Sequence, residues 1–223
     1  MKPSNILVIC LLTMIFLAIL GSNLVLKAEF DKLNKKDPLA GYKKEVVKPF
    51  KYVRLQGKPF GVTEIRQGAT SEIDLISDPK YLSWEVKQDT LIVTYKKDWS
   101  EAWSRREDLL NSVASVYIFT PQLLRVDSDN AFCRIKGWKS EALTINQKGS
   151  LFVLADNKIA HVDLKLTSGN YAKIASDNVF GDIKLEVADS SSIIVEKDVM
   201  KTISANIDSS AQVTMPGSLL KKL

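Results

Sequence analysis

The chain of 223 residues is poor in the residue types that build most chemical sites. It has one histidine, His161, and two cysteines, Cys10 and Cys133, which excludes histidine-based metal clusters and a framework of disulfide bonds. Ser-His-Asp catalysis would depend on His161 alone, and we expect this side chain to lie at a solvent-facing strand position. Ten glycines and seven prolines are too few for a low-complexity chain. We therefore predict a folded protein without a metal ion or another cofactor.

Positive charge is concentrated in one short stretch rather than spread over the chain. The net charge is +5, but residues 27–58 alone hold ten Lys and Arg against four Asp and Glu. Residues 59–223 hold twenty basic and twenty-two acidic residues. A nucleic-acid-binding domain carries its basic excess on the folded surface. The distribution therefore predicts no nucleic-acid partner.

Residues 1–26 contain a long uncharged and apolar run. No charged residue lies between Lys2 and Lys27. At about 1.5 Å per residue, a helix over this run would cross the ~30 Å hydrocarbon core of a bilayer. A cleaved signal peptide needs small residues at positions −3 and −1, whereas Leu26 and Leu20 occupy the −3 positions of the two candidate sites. We predict an uncleaved transmembrane anchor, with a cleaved signal peptide as the alternative.

Residues 27–49 have the composition of a basic linker. The pairs Asp37-Pro38 and Lys48-Pro49 are expected breaks, because the residue before proline avoids the helical region. Counting positive charges on the two sides of the apolar run favours neither orientation. The order of short basic start, apolar run and large domain is nevertheless typical of export. We expect a single-pass membrane protein with its domain on the periplasmic, extracytoplasmic side.

From Phe50 onward, apolar and polar residues alternate with a period of two. Runs of four to seven residues rich in Val, Ile, Thr, Tyr and Trp are bounded by Gly, Pro, Asp and Ser, which is typical of strands. Leu91, Val93 and Tyr95, for example, follow a turn at Gln88-Asp89. This spacing is variable over residues 50–120, which we interpret as the irregular first half of a β domain.

The segment Asp98–Leu110 departs from strand periodicity. Trp99 and Trp103 recur at helical spacing, so we expect a short helix or an irregular flap. In one interpretation the two tryptophans cover an open edge of the sheet stack. In the alternative they form an aromatic platform for a sugar, with Trp99, Trp103, Arg105 and Arg106 as the candidate ligand contacts.

Residues 121–215 contain a sequence repeat with a regular period. Four units open with the apolar residues Leu143, Leu164, Leu185 and Ala205. Each of these is followed by further apolar residues two, eight and ten places later. One turn of a solenoid per ~20 residues explains the spacing, with like strands stacked about 4.8 Å apart. We predict an all-β fold for residues 50–217, a right-handed single-stranded parallel β-helix, preceded by the transmembrane helix and followed by a tail at 218–223.

Three aspartates recur at the same position of successive repeat units, Asp156, Asp177 and Asp198. A row of stacked carboxylates could bind calcium. Aspartate also begins turns, because its side chain bonds the backbone two residues on, and Asn157 and Asn178 beside the first two favour that role. We therefore assign no metal ligand to this row.

Several segments resemble the auto-transporter adhesin head (GIN) domain family. They are Phe50-Lys51-Tyr52-Val53, Phe60-Gly61-Val62-Thr63, Asp89-Thr90-Leu91-Ile92-Val93 and Val116-Tyr117-Ile118-Phe119-Thr120-Pro121-Gln122-Leu123. The likeness covers about Phe50 to Met215 but departs from the family in its turns, where Asp127-Ser128-Asp129, Ala188-Asp189 and Asp208-Ser209 replace the usual pairs of small residues and glycine. The resemblance implies a right-handed parallel β-solenoid of a kind found largely in Bacteroidetes. It also implies an envelope or surface binding role without assigned catalytic residues.

These features together predict a membrane-anchored cell-envelope protein that presents a non-catalytic β-solenoid for binding or adhesion. We expect its partner to be a glycan or an envelope protein, and the oligomeric state is left open. One alternative is a structural spacer or partner-binding protein of the envelope. A second alternative is a polysaccharide-acting β-helix enzyme, which would need carboxylates converging in a cleft, whereas the charges here are scattered singly among strands and turns.

Overall fold

The computed structural model describes residues 3–32, 39–57, 61–76, 79–96, 110 and 112–223. The chain divides into two units, Met1–Tyr42 and Lys43–Leu223. The first unit contains helix α1, Pro3–Lys32. Within Pro3–Asp31, the most apolar window of 18 residues has a mean hydropathy of 2.5 and is wholly exposed. Helix α1 is therefore long and apolar enough to cross a membrane.

The second unit is built almost entirely from strands. They are β1 (Lys43–Val46), β2 (Tyr52–Gln56), β3 (Val62–Gln67), β4 (Glu72–Leu75), β5 (Leu82–Lys87), β6 (Thr90–Tyr95), β7 (Val116–Thr120), β8 (Arg125–Asp129), β9 (Phe132–Lys136), β10 (Lys139–Lys148), β11 (Leu151–Ala155), β12 (Lys158–Thr167), β13 (Tyr171–Ile174), β14 (Val179–Val187), β15 (Ser192–Val195), β16 (Met200–Ile207) and β17 (Gln212–Thr214). A 3-10 turn at Pro79–Tyr81 precedes β5, and a short helix α2, Gly217–Leu220, follows β17.

The strands form two large sheets. Sheet I has nine strands in the order β1-β4-β7-β3-β9-β11-β13-β15-β17, and sheet II has eight in the order β16-β14-β12-β10-β8-β2-β6-β5. From β8 onward the chain alternates between the sheets, so each strand pairs in parallel with the strand two places later. The expected all-β domain and apolar amino-terminal helix are therefore confirmed.

The first half of the β domain corrects the expectation of wholly parallel strands. The pairs β1–β4, β4–β7 and β5–β6 are antiparallel, so both sheets are mixed. The reason is clearest for β5 and β6, which are joined by the two-residue turn Gln88-Asp89. A connection this short joins only antiparallel neighbours, because parallel strands need a crossover of about a dozen residues or more.

The repeat has the predicted alignment in its later units and a shifted one in its first. Leu164, Leu185 and Ala205 are successive Cα partners on β12, β14 and β16. The partner of Leu164 on β10 is Ile145, whereas the sequence spacing had predicted Leu143. The number of residues between paired positions is thus smaller by two from β10 to β12 than from β12 to β14. The first unit is therefore shifted by two positions along the strand.

One continuous hydrophobic cluster includes side chains from both sheets. Its largest fully buried side chains are Trp138, Phe152 and Phe180, and Leu219 of α2 is fully buried in it near the carboxyl end of the chain. Among the described residues, the cluster runs from Phe50 to Leu219 and takes no side chain from the unit Met1–Tyr42. Residues 43–223 therefore contain a complete core of their own.

Two buried asparagines connect successive turns where the chain passes from sheet I to sheet II. Asn157 donates from its backbone N–H and from Nδ2 to Oδ1 of Asn178, both at 3.0 Å. Oδ1 of Asn157 in turn accepts the backbone N–H of Trp138 at 3.0 Å. Nδ2 of Asn178 donates to the carbonyls of Leu154 and Ala175 at 2.8 Å. The asparagines thus satisfy backbone groups that the turns would otherwise bury without partners.

Candidate functional site

Sheet II presents rows of polar side chains on the face that points away from the core. In β2, for example, Val53 and Leu55 are buried, whereas Tyr52, Arg54 and Gln56 are exposed. Because neighbouring strands run parallel and in register, outward residues of successive strands lie side by side. The surface is therefore a set of polar rows that cross the strands.

Two adjacent rows line a groove with a volume of about 490 Å³, here called the polar groove. It crosses β2, β8, β10 and β12, which span roughly 14 Å at the usual strand spacing. Its outward-facing residues are Arg54, Asp127, Asn146 and Lys165 in one row and Gln56, Asp129, Lys148 and Thr167 in the next.

Hydrogen bonds hold the acidic centre of the polar groove in place. Asp127 accepts from Nη2 and Nε of Arg125 at 2.8 and 2.9 Å, and from Nδ2 of Asn146 at 2.8 Å. Lys165 reaches out of the groove to Glu186 at 2.6 Å. The side chain of Arg54, by contrast, makes no hydrogen bond or ion pair with any other described residue. Its guanidinium is available to a ligand.

The polar groove has an excess of positive charge. Four cationic side chains line it against two carboxylates: Arg54, Arg125, Lys148 and Lys165 against Asp127 and Asp129. Lys165 pairs with Glu186 outside the groove and Lys148 lies 3.7 Å from Asp129, so the uncompensated charge is that of Arg54. Arginine binds carboxylate groups through paired, charge-assisted hydrogen bonds, and amide side chains orient hydroxyl groups. The arrangement suits a ligand that carries carboxylates and hydroxyls, and a rigid sheet holds these side chains at fixed spacing.

The ligand contacts predicted from the sequence, Trp99, Trp103, Arg105 and Arg106, fall within residues 97–109, outside the described part of the chain. Their assignment stays a prediction. The segment's carboxyl end is described, and Arg134 on β9 donates to the Leu110 carbonyl at 2.7 Å.

Arg134 belongs to a buried ion-pair cluster that the sequence did not reveal. Nη1 of Arg134 lies 2.8 Å from Oε2 of Glu64, whose side chain is only 2% exposed, and Arg66 also pairs with Glu64. Glu64 directly precedes the core-facing Ile65 in β3, so its side chain points to the other face of the sheet. The alternating pattern alone therefore predicts that Glu64 is exposed. Glu64 is buried because other parts of the fold cover this face of β3, and the periodicity of a strand carries no information about such contacts.

The lone histidine lies on the outer face of sheet II. Nδ1 of His161 is 3.1 Å from Oδ2 of Asp182, and Nε2 is 3.5 Å from Oε1 of Glu141. Thr202 donates to Oδ1 of Asp182 at 2.5 Å. This hydrogen bond, followed by the nearby imidazole, lowers the pKa of the Asp182 carboxyl below its usual range. The imidazole is 57% exposed, so its predicted solvent-facing strand position is confirmed.

The three repeated aspartates make separate contacts instead of converging on one point. Oδ1 of Asp177 accepts the backbone N–H of Asp156 at 2.8 Å. Asp198 pairs with Lys222 at 2.7 Å, and this hydrogen bond lowers the pKa of the Asp198 carboxyl. Within the described ranges, no group of three or more His, Cys, Asp or Glu side chains is arranged to hold a metal ion.

A polar groove on a rigid β-scaffold is typical of a binding domain, and the family comparison agrees with that class. The model of the family described as "Putative auto-transporter adhesin, head GIN domain" matches residues 50–219. The protein therefore belongs to this adhesin head-domain family, as the sequence resemblance predicted. A search of curated proteins finds no match.

The matches from a search of solved structures include two proteins described as putative adhesins. A putative adhesin from Parabacteroides distasonis has a TM-score of 0.57 at 16% sequence identity, and the likeness covers 78% of this chain and 71% of that one. A putative adhesin from Bacteroides fragilis has a TM-score of 0.42 at 13% identity, covering 78% and 96%. At these identities the first likeness supports the shared fold alone.

Proposed function

We propose that this protein is a non-catalytic binding module of the cell envelope, and that its ligand is an extended acidic polysaccharide held in the polar groove. The observation that carries the proposal is the excess of positive charge in a groove that crosses four strands, together with the guanidinium of Arg54, which has no partner among the described residues. The rows repeat the same spacing from strand to strand, so an extended polymer can lie across several strands at once. Membership in an adhesin family supports a binding role.

The parallel part of the domain is best understood as a right-handed β-solenoid with one turn per ~20 residues. Support comes from the registers, which pair Val126 with Ile145, Leu164 with Leu185, and Leu185 with Ala205. From β8 onward, each pair of parallel strands in one sheet is joined through one strand of the other sheet. Crossovers between parallel strands of one sheet are right-handed in about 98% of cases. Such a scaffold extends the polar rows by one residue per turn.

Helix α1 serves as a single-pass anchor, with the β domain on the extracytoplasmic side. Support comes from the length and hydropathy of Pro3–Asp31 and from the exposure of its apolar side chains. Sodium carbonate extraction of membranes tests the anchor: the full chain should stay in the pellet. The side of the membrane is tested by externally added protease, which should cleave the β domain in spheroplasts. Release of the full chain by carbonate would contradict the anchor.

Glycan binding is tested with the 43–223 fragment, which contains the complete core. An array of acidic and neutral oligosaccharides, followed by calorimetric titration, should show binding to acidic members that weakens with salt. Replacing Arg54 with Gln should weaken binding by about tenfold, because a charge-assisted pair is lost. Lys221→Gln removes the same charge from an exposed position outside the groove and should change affinity by no more than about twofold.

Two results would overturn the proposal. One is a lack of binding to every acidic oligosaccharide, and the other is equal affinity of the Arg54→Gln and unmodified fragments. Thermal melts of all three fragments show whether a loss of binding reflects a loss of fold.

A further inference from the structure

Strands β10, β12, β14 and β16 share an irregularity near their amino ends. In β12 the buried residues Ile159 and Val162 are separated by two outward residues instead of one. The Cα register passes over the corresponding position in every pair: Ser140 is followed by Ala142, and Phe180 by Asp182. One residue is skipped on both strands of each pair, so the inward and outward alternation is interrupted without a shift in register. A strand can bend at such an interruption of its ladder. Stacked over successive strands, the bends form a second groove.

This second groove, here called the bend groove, has a volume of about 480 Å³. The register skips four positions that line this groove: Glu141, Ala160, Gly181 and Lys201. Small residues occupy the two central positions, Ala160 and Gly181. A Cβ at Gly181 would lie 2.3 Å from the Ala160 carbonyl oxygen, so a larger residue there would disturb the strands. The apolar side chain of Val179 borders the groove and is 56% exposed.

Three lysines also line the bend groove. Lys139 and Lys158 are direct Cα partners on neighbouring strands, and Lys201 lies one residue beyond the Phe180–Met200 pair. Within the described part of the chain, the ammonium groups of Lys139 and Lys158 have no ion-pair partner, whereas the charge of Lys201 helps to lower the pKa of the Asp182 carboxyl. The acidic residue among the lining residues is Glu141, which is directed to His161 at 3.5 Å. The groove is therefore cationic as well as partly apolar.

The pairing of Lys139 with Lys158 contrasts with the rest of sheet II. Elsewhere in the parallel part of this sheet, directly opposed residues that are both charged have opposite signs, as in Asp163 with Lys184 and the contact of Lys165 with Glu186 at 2.6 Å. Like charges directly opposite each other destabilise a sheet. An anion placed between the two ammonium groups would remove that repulsion. An arrangement that costs stability without a ligand indicates a binding role.

We propose that the bend groove binds an anionic single-chain lipid. Its phosphate headgroup lies between Lys139 and Lys158, and the first part of its chain lies against Val179. The positive charge selects the anionic headgroup, and the exposed apolar border with its small-residue floor accommodates methylene groups. A purely polar polymer would leave the Val179 surface in contact with water, so this ligand class differs from that of the polar groove.

The proposal is tested by NMR titration of the 43–223 fragment with dodecyl phosphate below its micelle concentration. We expect saturable shifts that are largest at the amides of Ala160 and Gly181. Dodecyl maltoside, with a neutral headgroup, and ethyl phosphate, without a long chain, should each bind at least about tenfold more weakly. Equal binding of either control compound, or largest shifts outside the bend groove, would overturn the proposal.

Variants separate the two contributions. Lys158→Gln should weaken dodecyl phosphate binding by about tenfold, and Val179→Asn by about fivefold, because each removes one kind of contact at an exposed position. Lys221→Gln, at an exposed position outside both grooves, should leave the affinity within about twofold. Unchanged affinity in both groove variants, with spectra that show an intact fold, would refute the assignment.

Discussion

Asn178 offers the sharpest test of how the turns of the β domain are held together. Its side chain is 3% exposed and takes part in four hydrogen bonds of 2.8 to 3.0 Å. Replacing it with alanine removes the acceptor of the Asn157 backbone N–H and the donor to the carbonyls of Leu154 and Ala175. Nδ2 of Asn157 also loses this acceptor but keeps the Ile135 carbonyl at 3.0 Å. Each intramolecular hydrogen bond contributes about 0.5–1.5 kcal/mol net, so we expect a loss of about 3 kcal/mol in the free energy of unfolding.

The measurement is urea unfolding of the 43–223 fragment. A loss of about 3 kcal/mol should lower the midpoint by roughly 1.5 M with an unchanged slope. Asp177→Ala is the matched control, because it removes one exposed hydrogen bond, to the Asp156 N–H, and should cost at most about 1 kcal/mol. Equal midpoints for Asn178→Ala and the unmodified fragment would refute the reasoning. So would an equally large loss in the Asp177 variant, because burial would then not be the cause.

Three further predictions concern the core and the surface of the same fragment. Leu219→Ala should cost about 2–4 kcal/mol in urea unfolding, whereas Leu220→Ala, at a residue 60% exposed, should be nearly neutral; equal costs would contradict the place of Leu219 in the core. Burial raises the pKa of the Cys133 thiol to about 12, so a thiol reagent at pH 8 should label it only after unfolding, and immediate labelling would contradict its burial. A hydrogen bond from the Asp189 backbone N–H lowers the pKa of the Asp208 carboxyl, as Lys222 does for Asp198. Because both folded-state pKa values are depressed, their stabilisation is present at neutral pH and is lost as the pH falls below about 4. The melting temperature should therefore drop below about pH 4, and it should drop less steeply in the Asp208→Asn variant. A constant melting temperature between pH 6 and pH 3 would contradict the role of these carboxylates.

The repeated β pattern was predictable because burial imposes it directly on the sequence. Leu164, Leu185 and Ala205 occupy equivalent core positions, so apolar residues recur at the period of the chain path. The register of the first unit was not predictable in the same way. Leu151 and Phe152 are both buried and both apolar, and only the structure shows that Phe152 is the partner of Ala172. A run of adjacent apolar residues leaves the strand register ambiguous by one position.

The two grooves could not be predicted from the sequence, because each is lined by residues that are neighbours in space but distant along the chain. Asp127 and Asn146 are distant in sequence, and their contact requires the exact register of β8 and β10. The bend groove depends on an interruption of the inward and outward alternation that recurs in four strands. In the sequence this feature is a gap of three between core positions such as Ile159 and Val162, which helical and strand patterns do not distinguish from a turn.

Structural and binding roles occupy different surfaces of the same turns. Buried asparagines such as Asn157 and Asn178 satisfy backbone groups inside the domain, where a change costs stability. Outward residues such as Arg54 and Lys158 are exposed and have no ion-pair partner among the described residues, so they can be replaced at small cost to the fold. The asparagines lie in the turns directly before β12 and β14, and the parallel register of these strands sets the spacing of the outer rows. A loss of binding in an outer variant with unchanged stability would therefore report on the ligand site itself.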